Sequence, residues 1–215
     1  MSQVFGHGLV LALKTGGLIA VVLSATLIFA WRWRMDYPHA QAAPPQQPLP
    51  FSHQHHVRDD GIDCRYCHTS VEESSTAGLP GSDVCMTCHS QLYRDAPVFS
   101  VLHESVRTGQ RLRWTRVHDL PDFVFFDHSA HVSHGVACRE CHGRVDQMPA
   151  MVRTQSLDMQ WCLACHRDPA PHLSDPGQVF RMNARTSSRA HRQSLLASYG
   201  VLSSQWLTDC STCHR

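Results

Sequence analysis

One N-terminal transmembrane helix followed by a mostly irregular domain of short helices is the fold class this 215-residue sequence predicts, and three observations carry it. The pentapeptide C-x-x-C-H occurs five times, as Cys64-Arg65-Tyr66-Cys67-His68, Cys85-Met86-Thr87-Cys88-His89, Cys138-Arg139-Glu140-Cys141-His142, Cys162-Leu163-Ala164-Cys165-His166 and Cys210-Ser211-Thr212-Cys213-His214. A single long apolar run, Leu9 to Trp31, precedes all five. Finally, the segment leading into the first pentapeptide recurs ahead of the third, so the domain reads as two related modules and a fifth motif.

In C-x-x-C-H the two thiols add across the vinyl groups of a haem, and the adjacent His can bind the iron from the same side. A zinc site or a redox dithiol also uses C-x-x-C. Five copies, each followed by His and with none of the ten cysteines left over, favour haem. A disulfide scaffold would not place its cysteines in five identical triads. The expectation is therefore a multihaem cytochrome c with five covalently bound haem c groups. From Phe51 to Arg215 there are 33 residues per motif, so the macrocycles must supply much of the buried apolar surface.

Residues 1–35 form the anchor. The run LVLALKTGGLIAVVLSATLIFAW is apolar except for Lys14, and its length suits a hydrocarbon core of about 30 Å. Lys14 is near enough to one end to snorkel, and Trp31 and Trp33 fit an interfacial belt. A cleaved signal peptide is the competing reading, with Ala40-Gln41-Ala42 as its site. That site lies well past the apolar run, beyond Arg32, Arg34 and Asp36, which favours an uncleaved anchor. Arg32 and Arg34 would by the positive-inside rule put the following domain in the cytoplasm. Haem attachment outside the bacterial inner membrane overrides them, so the expected location is a single-pass protein with its haem domain on the periplasmic side.

Residues 36–50 hold the proline-rich stretch PHAQAAPPQQPLP, read as an extended spacer. The pentahaem domain follows over 51–215, with modules 51–90 and 126–167 and the fifth motif at 210–214. Phe51-Ser-His53-Gln-His55-His56-Val57 and Gly61-Ile62-Asp63 match Phe126-Asp-His128-Ser-Ala-His131-Val132 and Gly135-Val136-Ala137, with one residue of slack. Between the modules, Phe123 to Phe126 reads as a short strand or a packed loop. Arg167 to Asp209 reads as a surface wrap, helical only over Arg189 to Leu207.

An iron with two histidines, or His and Met, is saturated and suits electron transfer, whereas turnover of a small substrate needs an open position. Of 17 histidines, five belong to the motifs and twelve remain. In F-x-H-x-x-H the two imidazoles lie on one face of a helical turn and can serve two adjacent haems. The sixth ligands expected are His53, His56, His128, His131 and His118, with His55, His103, His134, His172 and His191 in reserve. Met148 and Met159, flanking the fourth motif, are the thioether candidates, although a Met near a haem more often packs than ligates. Nearly all basic charge is arginine, which can pair with haem propionates, and no basic tract suggests nucleic acid.

The anchor, the spacer, FSHQHH, the segment WTRVHDLPDFVFFDHSAHV from Trp114, CHG and MQWCLACHR from Met159 together resemble the pentahaem cytochrome c subunit of alternative complex III, a bacterial quinol:electron-acceptor oxidoreductase. F-x-H-x-x-H alone would resemble only the broader class III multihaem cytochromes. The resemblance implies an electron-transfer subunit with no turnover of its own. It implies polytopic quinol-oxidising membrane subunits and an iron–sulfur/molybdopterin-like periplasmic subunit as partners, with a monohaem cytochrome c or a terminal oxidase as acceptor. A self-sufficient NapC-type quinol dehydrogenase is the first alternative, but 32 residues separate Trp31 from Cys64. A nitrite or hydroxylamine reductase is the second, and it lacks support from any C-x-x-C-K motif.

Overall fold

The computed structural model describes residues 6–36, 43–184 and 187–214. The chain divides into two compact units, Met1–Ala40 and Gln41–Arg215. The expected cleavage site Ala40–Ala42 and Pro38, the first proline of the spacer, lie outside the described residues.

The first unit is one helix, α1, His7–Asp36. Its stretch His7–Trp33 is long and apolar enough to cross a membrane. Thr15 and Thr26 return their hydroxyl protons to the carbonyls of Leu11 and Leu23, both at 2.9 Å, so neither offers lipid an unpaired donor.

The second unit is built from short helices, with no strand among the described residues and one isolated antiparallel bridge, Val136 to Leu173. Every pentapeptide occupies a helical turn: α2 is Cys64–Cys67, α3 Ser82–His89, α6 Cys138–His142, α7 Met159–Arg167 and α10 Cys210–Cys213. Between them lie α4, Ser100–Thr108, α5, His128–Ser133, α8, Arg189–Ser198, and α9, Ser204–Leu207. Acidic caps start three of the motif helices. The carboxylates of Asp63, Asp158 and Asp209 accept from the amides of Arg65, Trp161 and Ser211 at 2.9, 2.8 and 2.9 Å.

The two copies of the internal repeat fold alike except where the sequence differs in length. His131 accepts the Val136 amide through its carbonyl at 3.0 Å, and the equivalent carbonyl of His56 accepts the Ile62 amide at 2.9 Å. The first copy must fit one more residue between these ends, and it does so by widening its helix. Gln54–Asp59 is a π-helix where the second copy has the α-helix α5. Gly61 and Gly135 close both turns with φ of +71° and +81°.

Ten apolar side chains are buried among the described residues, Leu102 and Ala137 most completely. So few cannot by themselves close a domain of this length, which agrees with an interior shared with prosthetic groups. Two of three connecting segments depart from expectation. The second half of the spacer is docked: Gln47 exchanges two 2.9 Å hydrogen bonds with the backbone of Thr115, and Leu49 is buried. Prolines lack an amide donor, and here a glutamine side chain supplies the missing pairing. Phe123–Phe126 is a loop, not a strand, pinned where the Phe125 amide donates to the Cys213 carbonyl at 2.7 Å. The segment after the fourth motif is no mere surface wrap, since it contributes Ala170, Leu173, Val179, Met182 and Leu195 to the core. Its expected helix breaks at Gly200, φ +64°, into α8 and α9.

Candidate haem centres

A helical turn sets Cys i, Cys i+3 and His i+4 along one side of each motif, and the backbone then decides which way the imidazole points. Nδ1 of His68 bonds the Gly78 carbonyl at 2.7 Å, that of His89 the Leu92 carbonyl at 3.1 Å, that of His166 the Leu207 carbonyl at 2.8 Å and that of His214 the Phe123 carbonyl at 3.1 Å. Such a bond fixes the proton on Nδ1 and leaves Nε2 as a free lone pair, the arrangement a metal-ligating His requires.

The repeated F-x-H-x-x-H segments supply matching partners. His56 and His131 each bond the carbonyl of the residue after the phenylalanine, Ser52 at 2.9 Å and Asp127 at 2.7 Å. The phenylalanine clamps both histidines of its own segment. Phe51 stacks on His56 at 4.6 Å and meets His53 edge-on at 4.9 Å, while Phe126 stacks on His131 at 4.6 Å and meets His128 edge-on at 4.8 Å. His128 is held across modules, its Nδ1 2.9 Å from the Ser75 carbonyl.

A metal–imidazole bond is about 2 Å long and the ring centre lies about 1 Å further back, so two imidazoles on opposite sides of one metal have centres roughly 6 Å apart. The ring centres of His56 and His89 are 6.2 Å apart, those of His128 and His142 6.3 Å with planes 5° from parallel, and those of His131 and His166 6.1 Å. His53 neighbours His68, and burial together with the His68 and His56 imidazoles holds its pKa down at about 4. Burial likewise holds His118 at about 4 and His142 at about 3. All three are thus neutral at physiological pH, as a ligand must be. His118 keeps a buried Nε2 with no hydrogen-bond partner, an atom that a metal would satisfy. Its ring lies 4.3 Å from that of His142, too close for both to flank one iron. These observations fit haem at the motif sites. When bound, each haem supplies an iron that takes up and releases one electron.

The motifs are also joined to one another. Tyr66 and Thr87, the third residues of the first two, share a 2.8 Å hydrogen bond. The backbone at 179–181 ties the first motif to the third: the Cys138 amide donates to the Val179 carbonyl at 3.2 Å, Cys64 Sγ to the Phe180 carbonyl at 3.9 Å, and Arg139 to the Arg181 carbonyl at 3.0 Å. The Arg65 guanidinium covers the Phe180 ring at 4.5 Å. The third and fourth motifs meet across α5, whose His128 and His131 face His142 and His166. The fourth and fifth meet at Leu207, whose carbonyl accepts from His166 a few residues before Cys210.

No protein-family model matches the chain. Its sequence is similar to the menaquinone reductase multihaem cytochrome c subunit of Nitratidesulfovibrio vulgaris, 30% identical over 195 residues that cover 90% of this chain and 78% of that protein. The chain belongs to this family of multihaem cytochrome c subunits. Membership accords with ten cysteines in five haem-attachment motifs and makes electron transfer the role of the domain.

Within this multihaem cytochrome the other candidates fall in distinct places. His103 Nε2 is occupied by the Arg94 carbonyl at 2.9 Å, and His191 Nε2 by Asp175 at 2.6 Å. His55 faces Asp59 and Asp60, His134 Nδ1 bonds the Ala130 carbonyl, and His172 pairs with Glu140 at 3.1 Å. Met148 is buried, with its carbonyl accepting the Gln54 amide at 3.0 Å, whereas Met159 opens α7 and is 60% exposed. The phenylalanine clamps were visible in the F-x-H-x-x-H pattern but carried no assigned role. The carbonyls that orient each Nδ1 left no signal, because any residue can supply one.

Proposed function

We propose that this chain is a five-haem relay in a membrane quinone oxidoreductase, with His53 and His68, His56 and His89, His128 and His142, and His131 and His166 as the axial pairs of the first four haems and His214 on the fifth. The observation that carries the reading is the ~6 Å facing of motif histidines and repeat histidines. Four sites closed on both sides suit passing electrons on and leave small substrates no iron there, and in this reading the chain has no turnover of its own. His118, beside His142, and Met148 and Met159 stand as further axial candidates.

In this reading α1 spans the inner membrane and the haem unit lies on the periplasmic side. A single helix cannot enclose a quinone, so polytopic partner subunits exchange electrons with it, beside an iron–sulfur/molybdopterin-like periplasmic subunit. In the direction that the alternative complex III resemblance suggests, quinol is oxidised and a monohaem cytochrome c or a terminal oxidase accepts. The name of the relative favours a second reading, in which a periplasmic donor feeds menaquinone reduction.

The test is reduction of the haems in the assembly purified in mild detergent. Menaquinol is expected to reduce them only in the assembly, and a reduced periplasmic cytochrome reducing them faster than quinol would assign the second direction. Reduction of the isolated chain by quinol at the rate of the assembly would establish a NapC-type enzyme. A high-spin ferric signal that responds to nitrite would establish a reductase.

A further inference from the structure

We infer that the five haem sites form one unbranched series in the order second, first, third, fourth, fifth, so that the second and fifth sites, and not the first, are where electrons enter and leave the chain. The inference rests on the relay reading and adds to it the two places at which partner redox proteins must approach.

Each link has its own contact. The second and first motifs share the Tyr66–Thr87 hydrogen bond, and their axial candidates are His56 in the π-helix Gln54–Asp59 and His53 at its N-cap, both clamped by Phe51. The first and third are held on consecutive residues of one backbone segment, where the Arg65 guanidinium covers the Phe180 ring and the Cys138 amide donates to the Val179 carbonyl. The third and fourth share α5, whose His128 faces His142 and whose His131 faces His166. The fourth and fifth meet through Leu207, which accepts from His166, and through α9 immediately before Asp209, the cap of α10.

Exposure independently marks the same ends. Of the ten cysteines, only Cys88 of the second motif and Cys210 of the fifth are exposed. Leu92 and Tyr93 just after the second motif, and Trp206 and Phe123 against the fifth, are large apolar side chains left exposed beside these two sites. Ala137, which leads into the third motif at the middle of the series, is 1% exposed. Chain order therefore misleads, because the first motif, nearest the anchor in sequence, is interior. The one-residue widening at Gln54–Asp59 and the return of the late segment 179–181 put it there.

The experiment counts neighbours. Each haem's charge shifts the potential of the haems beside it, so removing an end site moves one remaining midpoint and removing an interior site moves two. The assembly carrying Cys85→Ala with Cys88→Ala, and that carrying Cys64→Ala with Cys67→Ala, are titrated potentiometrically with electron paramagnetic resonance detection, after mass spectrometry shows four haems. The first is expected to move one component and the second two. Two components moving in the first, or one in the second, overturns the order. If either variant fails to mature, His89→Met and His68→Met keep the haem with a sulfur ligand and raise its potential, and the same count is read from them. No quinol and no turnover enter this measurement, so failure of the quinone-linked role would show only in the quinol reduction above.

Discussion

At the residue scale, the ring nitrogen that the backbone occupies separates His56 and His131 from His103. His56 and His131 give Nδ1 to a carbonyl and keep Nε2 free, whereas His103 spends Nε2 on the Arg94 carbonyl. Replacing His56 by Ala is therefore expected to convert one haem in five from low-spin to high-spin in the oxidised electron paramagnetic resonance spectrum. His103→Ala leaves the spectrum unchanged and costs at most about 1 kcal/mol, the usual net value of one exposed hydrogen bond. A spectrum of His56→Ala identical to that of the parent would remove His56 from the ligand set. The motif cysteines and histidines and the F-x-H-x-x-H pairs were legible in the sequence because their chemistry dictates residue type and spacing. The carbonyl partners were not, since a carbonyl belongs to every residue.

At the scale of elements, the repeat was legible and the place where its spare residue goes was not. Nothing in Val57–Gly61 distinguishes a wider helix from a longer loop, yet the carbonyl of His56 must still meet the amide of Ile62, and only widening the turn allows both. The late connector was misjudged for a different reason. Its Pro, Ser and Arg content suggests surface, whereas isolated residues such as Leu173 and Val179 reach the core without any periodic pattern. Gly135 links the two. Its φ is +81°, and a Cβ there would run into the Tyr199 ring, whose hydroxyl donates to the Ser174 carbonyl at 2.8 Å. Gly135→Ala must pay for a left-handed backbone of about 1 to 2 kcal/mol and also displace Tyr199. We expect a destabilisation of roughly 2 kcal/mol or more in denaturant melts, with Tyr199→Ala relieving part of it; a loss below about 0.5 kcal/mol would contradict the packing described.

At the scale of the whole molecule, the ten buried apolar side chains, from Leu49 to Leu195, all belong to the unit Gln41–Arg215. The helix α1 contributes none of them, and apart from half-buried Val10 its leucines and valines are exposed. Composition foretold this division, because an unbroken apolar run is too long for a small core and a domain with 33 residues per motif is too small to need one. In the proposed reading covalent attachment would hold the haems to Cys64 through Cys213, and the docking of Gln47 on Thr115 and of Leu49 in the core closes the N-terminal edge of the unit. A chain that starts at Ala43 behind a cleavable export leader is accordingly expected to mature with five haems, to stay in the soluble fraction, and to show the oxidised spectrum of the full-length protein. It should fail to receive electrons from quinol in membranes at the full-length rate, because the anchor raises its local concentration at the partner subunits. Fewer than five haems by mass spectrometry, or a new high-spin signal, would mean that residues before 43 complete one of the haem sites.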